Sequence, residues 1–324
     1  MAAAGLLLAG TGAAISHPVG PLHLGTTLLA TTGPLAGSEV AIIVGGTGQP
    51  TPSETFAQSA ANLYLNPLGF LGGETDSTVC HMDGTDPCSA PLQVLTTPML
   101  FEQGQSSYDG AALIVDAVKN QFEQNPGAFD AEHPLTIFGY SQGATAESIA
   151  MEQLHEDGIP LDALHFVFIG NPSAPDGVWQ HLDAAMDATF GEDLADFLLK
   201  LLGMTETLGN STPNDLYAAT IYGLPDDPVA NFKDAYAADG LWGALGGIFG
   251  PHVEYLGLTP DQIADNTVVT DGALTYVNID NSEIDAFAAW ASALFEHGVA
   301  DSDPFQSVWD SLVFFVENLF TILF

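Results

Sequence analysis

The stretch "TIFGYSQGATAESIA" (136–150) sets Ser141 between Gly139 and Gly143, after an apolar run and before a helix-forming one. A serine on a tight strand-to-helix turn exposes its hydroxyl at the top of a sheet, and flanking glycines let the backbone crowd there without a Cβ clash. Such a hydroxyl is a nucleophile only with a general base beside it and a carboxylate to orient that base. On an elbow of this kind the chain order is serine, then acid, then histidine. That order excludes His17, His23, His81 and His133, which lie upstream of Ser141. His155 and His165 follow too closely, on the flanking helix and strand, and His181 precedes any late acid. His252, in the loop "FGPHVEY", is the preferred base, while His297 in "FEHGVADSD" reads as a helix-end cap.

The acid should follow the strand-like "LYAATIYG" (216–223), where "GLPDDPVANF" supplies adjacent carboxylates. Asp226 is preferred, with Asp227 the alternative; the other would favour a helix start by its charge. Acyl transfer also needs donors for an oxyanion. The N–H of Gln142 is one. The other falls in the loop "GGTG" (45–48), as the N–H of Gly46 or Thr47, or the Thr47 hydroxyl. A phosphate cradle there is disfavoured, because no Gly-Lys-Ser/Thr follows and no GxGxxG is present. This chemistry calls for no metal and no organic cofactor.

The elements that must position these groups follow from pattern. "EVAIIV" (39–44), "PLTIFGY" and "LHFVFI" are short apolar runs that read as buried strands. Helices are expected from the candidate N-cap Ser53, across "SYDGAALIVDAVKNQFEQNPG", across "ATAESIAMEQLHEDG", and near 282–296. Residues 66–97 read as irregular. "TVVTDGALTYVNID" reads as a hairpin turning at Asp271-Gly272. Strands alternating with helices give an α/β class with a mostly parallel, doubly wound sheet. A helical, lid-like insertion at about 176–210, with Leu182, Met186, Phe190, Leu194, Phe197 and Leu201 at helical spacing, should lie over the strand C-terminal ends. The expected division is an apolar leader and linker (1–37), one domain (38–300) and an apolar C-terminal helix (301–324).

The chain has 324 residues, 41 of them acidic, with three lysines, no arginine and a net charge of −38. No basic surface exists to neutralise phosphates, so nucleic acid is excluded as a partner. Missing arginine also removes bidentate phosphate clamps. Cys80 and Cys88 in "CHMDGTDPC" have no zinc-type spacing and close a short loop, so a disulfide is expected, and with it export. The leader "MAAAGLLLAGTGAAIS" resembles a signal-peptide core without its basic n-region and points the same way. The C-terminal "SVWDSLVFFVENLFTILF" is expected to pack on the domain or to make peripheral contact with a membrane interface.

Taken together, these residues resemble the PE-PPE domain family of actinobacterial, chiefly mycobacterial, serine hydrolases related to cutinases. The resemblance covers roughly residues 39–260 and rests on "GGTGQPTP", "GYSQGA", "GNPSAPDG", the Asp-x-Pro of "DDPVANF" and the His of "GPHVEY". It implies an α/β-hydrolase fold, a triad of Ser141, Asp226 and His252, an oxyanion hole at Thr47 and Gln142, and a secreted or cell-envelope location. The segment "IYGLPDDP" is compressed relative to the family, which keeps Asp227 open as the acid. The expected activity is hydrolysis of acyl esters, with an acyl ester or glycolipid substrate. Acyl transfer between envelope glycolipids is the alternative, and an inactive surface or binding protein a more distant one. Oligomeric state is not legible.

Overall fold

In a computed structural model, residues 33–72 and 78–300 are described. The leader, His17, His23 and the C-terminal 301–324 segment fall outside these residues. Eight strands form one sheet, β1 (Ala41–Val44), β2 (Val79–His81), β3 (Leu92–Val94), β4 (Leu135–Tyr140), β5 (Leu164–Ile169), β6 (Ala218–Gly223), β7 (Asn266–Asp271) and β8 (Leu274–Ile279). Their order is β2-β3-β1-β4-β5-β6-β8-β7, parallel throughout except for the β7/β8 hairpin. The fold is α/β, of the α/β-hydrolase type, with β4 at the centre.

The central strands have no alternation because both faces are covered. Every residue of β1, β4 and β5 is buried. Successive side chains still point to opposite sides. Ile43, Phe138, Val167 and Ile169 pack under α1 (Glu54–Ala60), the loop that carries His252 and α8 (Ala286–Phe295). Ile42, Val44, Ile137, Phe166 and Phe168 pack under α2 (Gly104–Gln124) and α3 (Gln142–Glu156). Ser53 caps α1 as expected, its Oγ accepting the Phe56 N–H at 3.1 Å.

The 66–97 segment departs from expectation, since it contributes the edge strand β2 and its neighbour β3. Each has only three residues, and β3 is buried by pairing with β1 rather than by a run of its own. The hairpin turn lies one residue later than expected, on Gly272 and Ala273, with Gly272 at φ 60. A positive φ at the first turn position alone is the type II′ requirement, which glycine meets.

The insertion forms α4 (Val178–Phe190) and α5 (Glu192–Leu201), and α6 (Phe232–Gly247) follows β6, broken at Gly240. These helices share a core of their own, including Trp179, Leu182, Met186, Leu199, Phe232 and Leu241. Of the apolar residues at helical spacing, Leu194 and Phe197 are 46% and 36% exposed, because α5 buries Ala195 and Leu199 instead. The insertion leaves the C-terminal end of β5 and ties back to the elbow helix, Trp179 Nε1 donating to Thr145 Oγ1 at 2.9 Å. No helix among the described residues is long and apolar enough to cross a membrane.

Cys80 in β2 and Cys88 form a disulfide across a sequence separation of 8. A loop this short removes modest chain entropy when closed. Replacing both cysteines by serine is therefore expected to lower stability by about 2–3 kcal/mol. The check is the urea midpoint, and an unchanged midpoint would mean the cross-link constrains nothing.

Candidate active site

Ser141 joins β4 to α3 with φ 55 and ψ −117, one of two non-glycine residues with positive φ among those described. Its N–H is held by the Ile169 carbonyl at 3.1 Å, and its own carbonyl accepts the Ala144 N–H at 2.9 Å. The glycines have specific reasons. A Cβ on Gly143 would lie 2.5 Å from the Gly45 carbonyl oxygen, and one on Gly139 would lie 2.6 Å from Glu147 Oε1. Gly139 thus makes room for Glu147, a fully buried carboxyl with no hydrogen-bond partner on either oxygen. Burial pushes this group well above the usual carboxylate range, so the core holds it neutral.

Ser141 Oγ and His252 Nε2 are 2.8 Å apart. His252 Nδ1 is 3.0 Å from both carboxylate oxygens of Asp227. An ionised carboxylate only accepts, so Nδ1 carries the proton and Nε2 is left to accept from the serine hydroxyl. The arrangement can take a proton from Ser141 Oγ and hold the resulting imidazolium. His252 is buried, stacked on the Tyr140 ring at a centroid distance of 5.3 Å, with its carbonyl accepting from Tyr140 Oη at 2.9 Å.

The carboxylate on His252 belongs to Asp227, not to Asp226. The turn after β6 closes with Asp227 N–H on the Leu224 carbonyl, and Asp227 Oδ1 accepts the Val229 N–H at 2.8 Å. That local ring points Asp227 inward, fully buried, whereas Asp226 is exposed and bonds Asn281. Burial pushes the Asp227 carboxyl up, but His252 and the donors from Val229 and Tyr255 outweigh it and hold it below its ordinary value. His297 binds Ser59 Oγ through Nδ1 at 2.8 Å, which ties the end of α8 to α1.

Gln142 opens α3, so its N–H has no acceptor inside the helix. Thr47 Oγ1 donates to Gln142 Oε1 at 3.1 Å and accepts from Gln103 Nε2 at 3.0 Å. The loop after β1 is thereby pinned to the residue after the serine. Gly46 acts in this structure as a spacer, with its donor already occupied. Its N–H is engaged by Gln49 Oε1 at 3.3 Å, and a Cβ there would lie 3.1 Å from that of Ser141. Gln103, Tyr140 and Tyr255 were not singled out from sequence, and only the adjacency of Tyr140 to Ser141 marked any of them.

Among the described residues, Asp183, Asp187 and Asp196 bring carboxylate oxygens within 4.8 Å of one another on α4 and α5. Asp183 and Asp196 are exposed, in a chain with 41 acidic residues, and we assign the group no metal. A cavity of about 750 Å³, lined by Glu39, Gln93, Gln121, Phe129 and His133 among others, opens at the N-terminal ends of β1, β3 and β4. Ser141 follows the C-terminal end of β4, so cavity and serine lie at opposite ends of that strand.

A serine on a strained elbow, bonded through histidine to a buried aspartate, thus sits at the C-terminal ends of a parallel sheet of the α/β-hydrolase fold class. The chain belongs to the PE-PPE domain family, whose model matches residues 89–277. Two relatives come from Mycobacterium tuberculosis (strain ATCC 25618 / H37Rv). PPE family protein PPE28 is 29% identical over 232 residues, covering 70% of this chain and 31% of its own. Esterase PE16 is 29% identical over 261 residues, covering 77% and 43%. The chain thus spans less than half the length of these relatives. A cutinase-like protein from Cryptococcus sp. superposes with a TM-score of 0.37 at 19% identity, covering 70% of this chain and 98% of its own.

Two predictions follow from the site geometry. Gly170, at φ 56, lies against the imidazole, and a Cβ there would be 2.8 Å from His252 Cε1. Gly170→Ala should move the ring and cut turnover by about 10- to 100-fold; wild-type turnover on an ester would show that the ring has slack. Burial, then the charges of Asp226 and Asp227, pushes buried Glu254 up to about 7. A raised folded value favours the fold while the carboxyl is protonated. That contribution is complete below the ordinary value of 4.5 and is lost as pH rises through about 7. Across that window the melting temperature of Glu254→Gln should fall less than that of the wild type; parallel curves would refute the assignment.

Proposed function

We propose that the protein is a serine ester hydrolase. Ser141 attacks an acyl carbonyl, and His252 takes the hydroxyl proton and returns it to the leaving alcohol. Asp227 holds the imidazole tautomer and faces the imidazolium. The acyl-enzyme is then cleaved by water, which His252 deprotonates in turn. The N–H groups of Gln142 and Thr47 receive the oxyanion. The observation that carries this reading is the continuous Ser141–His252–Asp227 hydrogen-bond chain on an elbow with positive φ. The esterase named among the relatives supports it.

The substrate we propose is a neutral acyl ester, glycolipids included. Leu194, Phe197 and Leu202 of the insertion and Trp242 of α6 offer exposed apolar surface. The chain's near-absence of cations disfavours anionic substrates. We further place the protein outside the cytosol, in a secreted or cell-envelope setting, on the strength of the Cys80–Cys88 disulfide.

The test is a fluorophosphonate probe followed by p-nitrophenyl esters of graded chain length. Ser141→Ala should abolish labelling and lower turnover by at least ~10³. Asp227→Asn should cost up to ~10⁴ in kcat, and Asp226→Asn less than about threefold. Equal losses at 226 and 227 would move the acid. Labelling of Ser141 without hydrolysis would turn the reading toward acyl transfer, in which a second alcohol replaces water.

A further inference from the structure

The base and a second side chain that reaches Asp227 share one short turn. His252 and Tyr255 lie in the 3₁₀ segment Pro251–Gly257. Side chains three apart eclipse in a 3₁₀ helix, so both rings project to the same side, 6.4 Å apart and near perpendicular. Both reach Asp227. His252 contacts it through Nδ1, and Tyr255 Oη lies 2.8 Å from Oδ2.

The direction of that second bond is fixed. The Leu224 N–H donates to Tyr255 Oη at 3.0 Å. A backbone amide only donates, so the phenol proton is free to go to Asp227 and not to Leu224. Asp227 therefore receives three neutral or imidazole donors: Nδ1–H of His252, N–H of Val229 and O–H of Tyr255. The turn itself is pinned by two more buried tyrosines. Tyr64 Oη donates to the Tyr255 carbonyl, and Tyr140 Oη to the His252 carbonyl. Burial and then the charge of Asp227 keep the Tyr255 phenol well above its ordinary range, so it stays a donor. The other ionisable groups acting on Asp227 or Tyr255 are His252 and Glu254 of the same turn, Asp226, Tyr140 and Tyr64.

We propose that Tyr255 is a positioning residue of the hydrolytic site, its hydroxyl aligning the Asp227 carboxylate and damping the charge that His252 feels. This rests on the serine-hydrolase reading above. Two consequences separate it from a packing role. Removing the hydroxyl frees the carboxylate to rotate off Nδ1. It also leaves the undamped negative charge of Asp227 facing the ring, which favours the imidazolium form.

The experiment measures p-nitrophenyl butyrate hydrolysis against pH in the full chain. Tyr255→Phe should lower kcat by ~10- to 100-fold, the scale of a hydrogen bond to a charged group. KM should be unchanged, and the acidic inflection of kcat/KM should move to higher pH. A fluorinated tyrosine placed at 255 keeps the shape, strengthens the donor and should move the inflection the opposite way, which tests the idea even where Tyr255→Phe folds poorly. Wild-type kcat and inflection in Tyr255→Phe, or an unmoved inflection with the fluorinated residue, would overturn the clamp alone. Equal turnover by wild type and Ser141→Ala would instead overturn the serine reading and the clamp with it.

Discussion

The backbone of Ser141 is held in a conformation its side chain disfavours, and much of the molecule exists to hold it there. A non-glycine residue at φ 55 costs roughly 1–3 kcal/mol. What offsets this is the register of the central strands. β5 presents the Ile169 carbonyl to the Ser141 N–H, and β1 stops where the Gly45 carbonyl can pack on Gly143. A shift of either strand by one residue would exchange its two buried faces, and the large side chains on both sides of β1, β4 and β5 forbid that. The strained residue is thus over-determined by core packing, and its hydroxyl stands where His252 can reach it.

The same sheet explains which partners assemble. Loops leaving the C-terminal ends of β1, β4 and β6 carry Thr47, Ser141 and Asp227, and the turn bearing His252 follows α6. Their approach depends on missing side chains. Gly170 ends β5 at φ 56 with the imidazole directly over it, and Gly46 lets the loop after β1 lie against Tyr140 and Ser141. The insertion adds little to this inner frame. Its helices bury their apolar side against α6 and leave Leu194 and Phe197 facing out, apart from the fold's main core.

Much of this was legible in the residue order, and what was not has identifiable causes. Ser141 and His252 could be read because each is bracketed by strong local signals: a glycine-flanked turn after an apolar strand, and a Gly-Pro loop after a helix. Asp226 and Asp227 could not be separated that way. Neighbours on a turn point in different directions, and the choice is made by a hydrogen bond from Val229 and by the space beside Tyr255, neither of which has a sequence period. β2 and β3 escaped because three-residue strands owe their burial to partners distant in sequence. Tyr64, Tyr140 and Tyr255 carry no sequence signal beyond that of ordinary core aromatics, which they also are. Their hydroxyls acquire roles only through the carbonyls and carboxylate that tertiary folding brings to them.

A chain with no arginine must manage buried carboxyls without the usual cation. Of its three lysines, Lys119 and Lys233 bind Asp157 and Asp176 at the surface. Inside, two solutions appear. Glu147 has no donor at all, and burial alone keeps it protonated and uncharged under the elbow. Asp227 is as deeply buried, yet an imidazole, a backbone amide and a phenol converge on it and hold it ionised. Burial is common to both, so the count and direction of donors decide the charge. An ionised buried carboxylate in this protein is therefore made by its hydrogen-bond donors. Asp226, one residue away and exposed, lacks the imidazole and phenol donors that Asp227 receives.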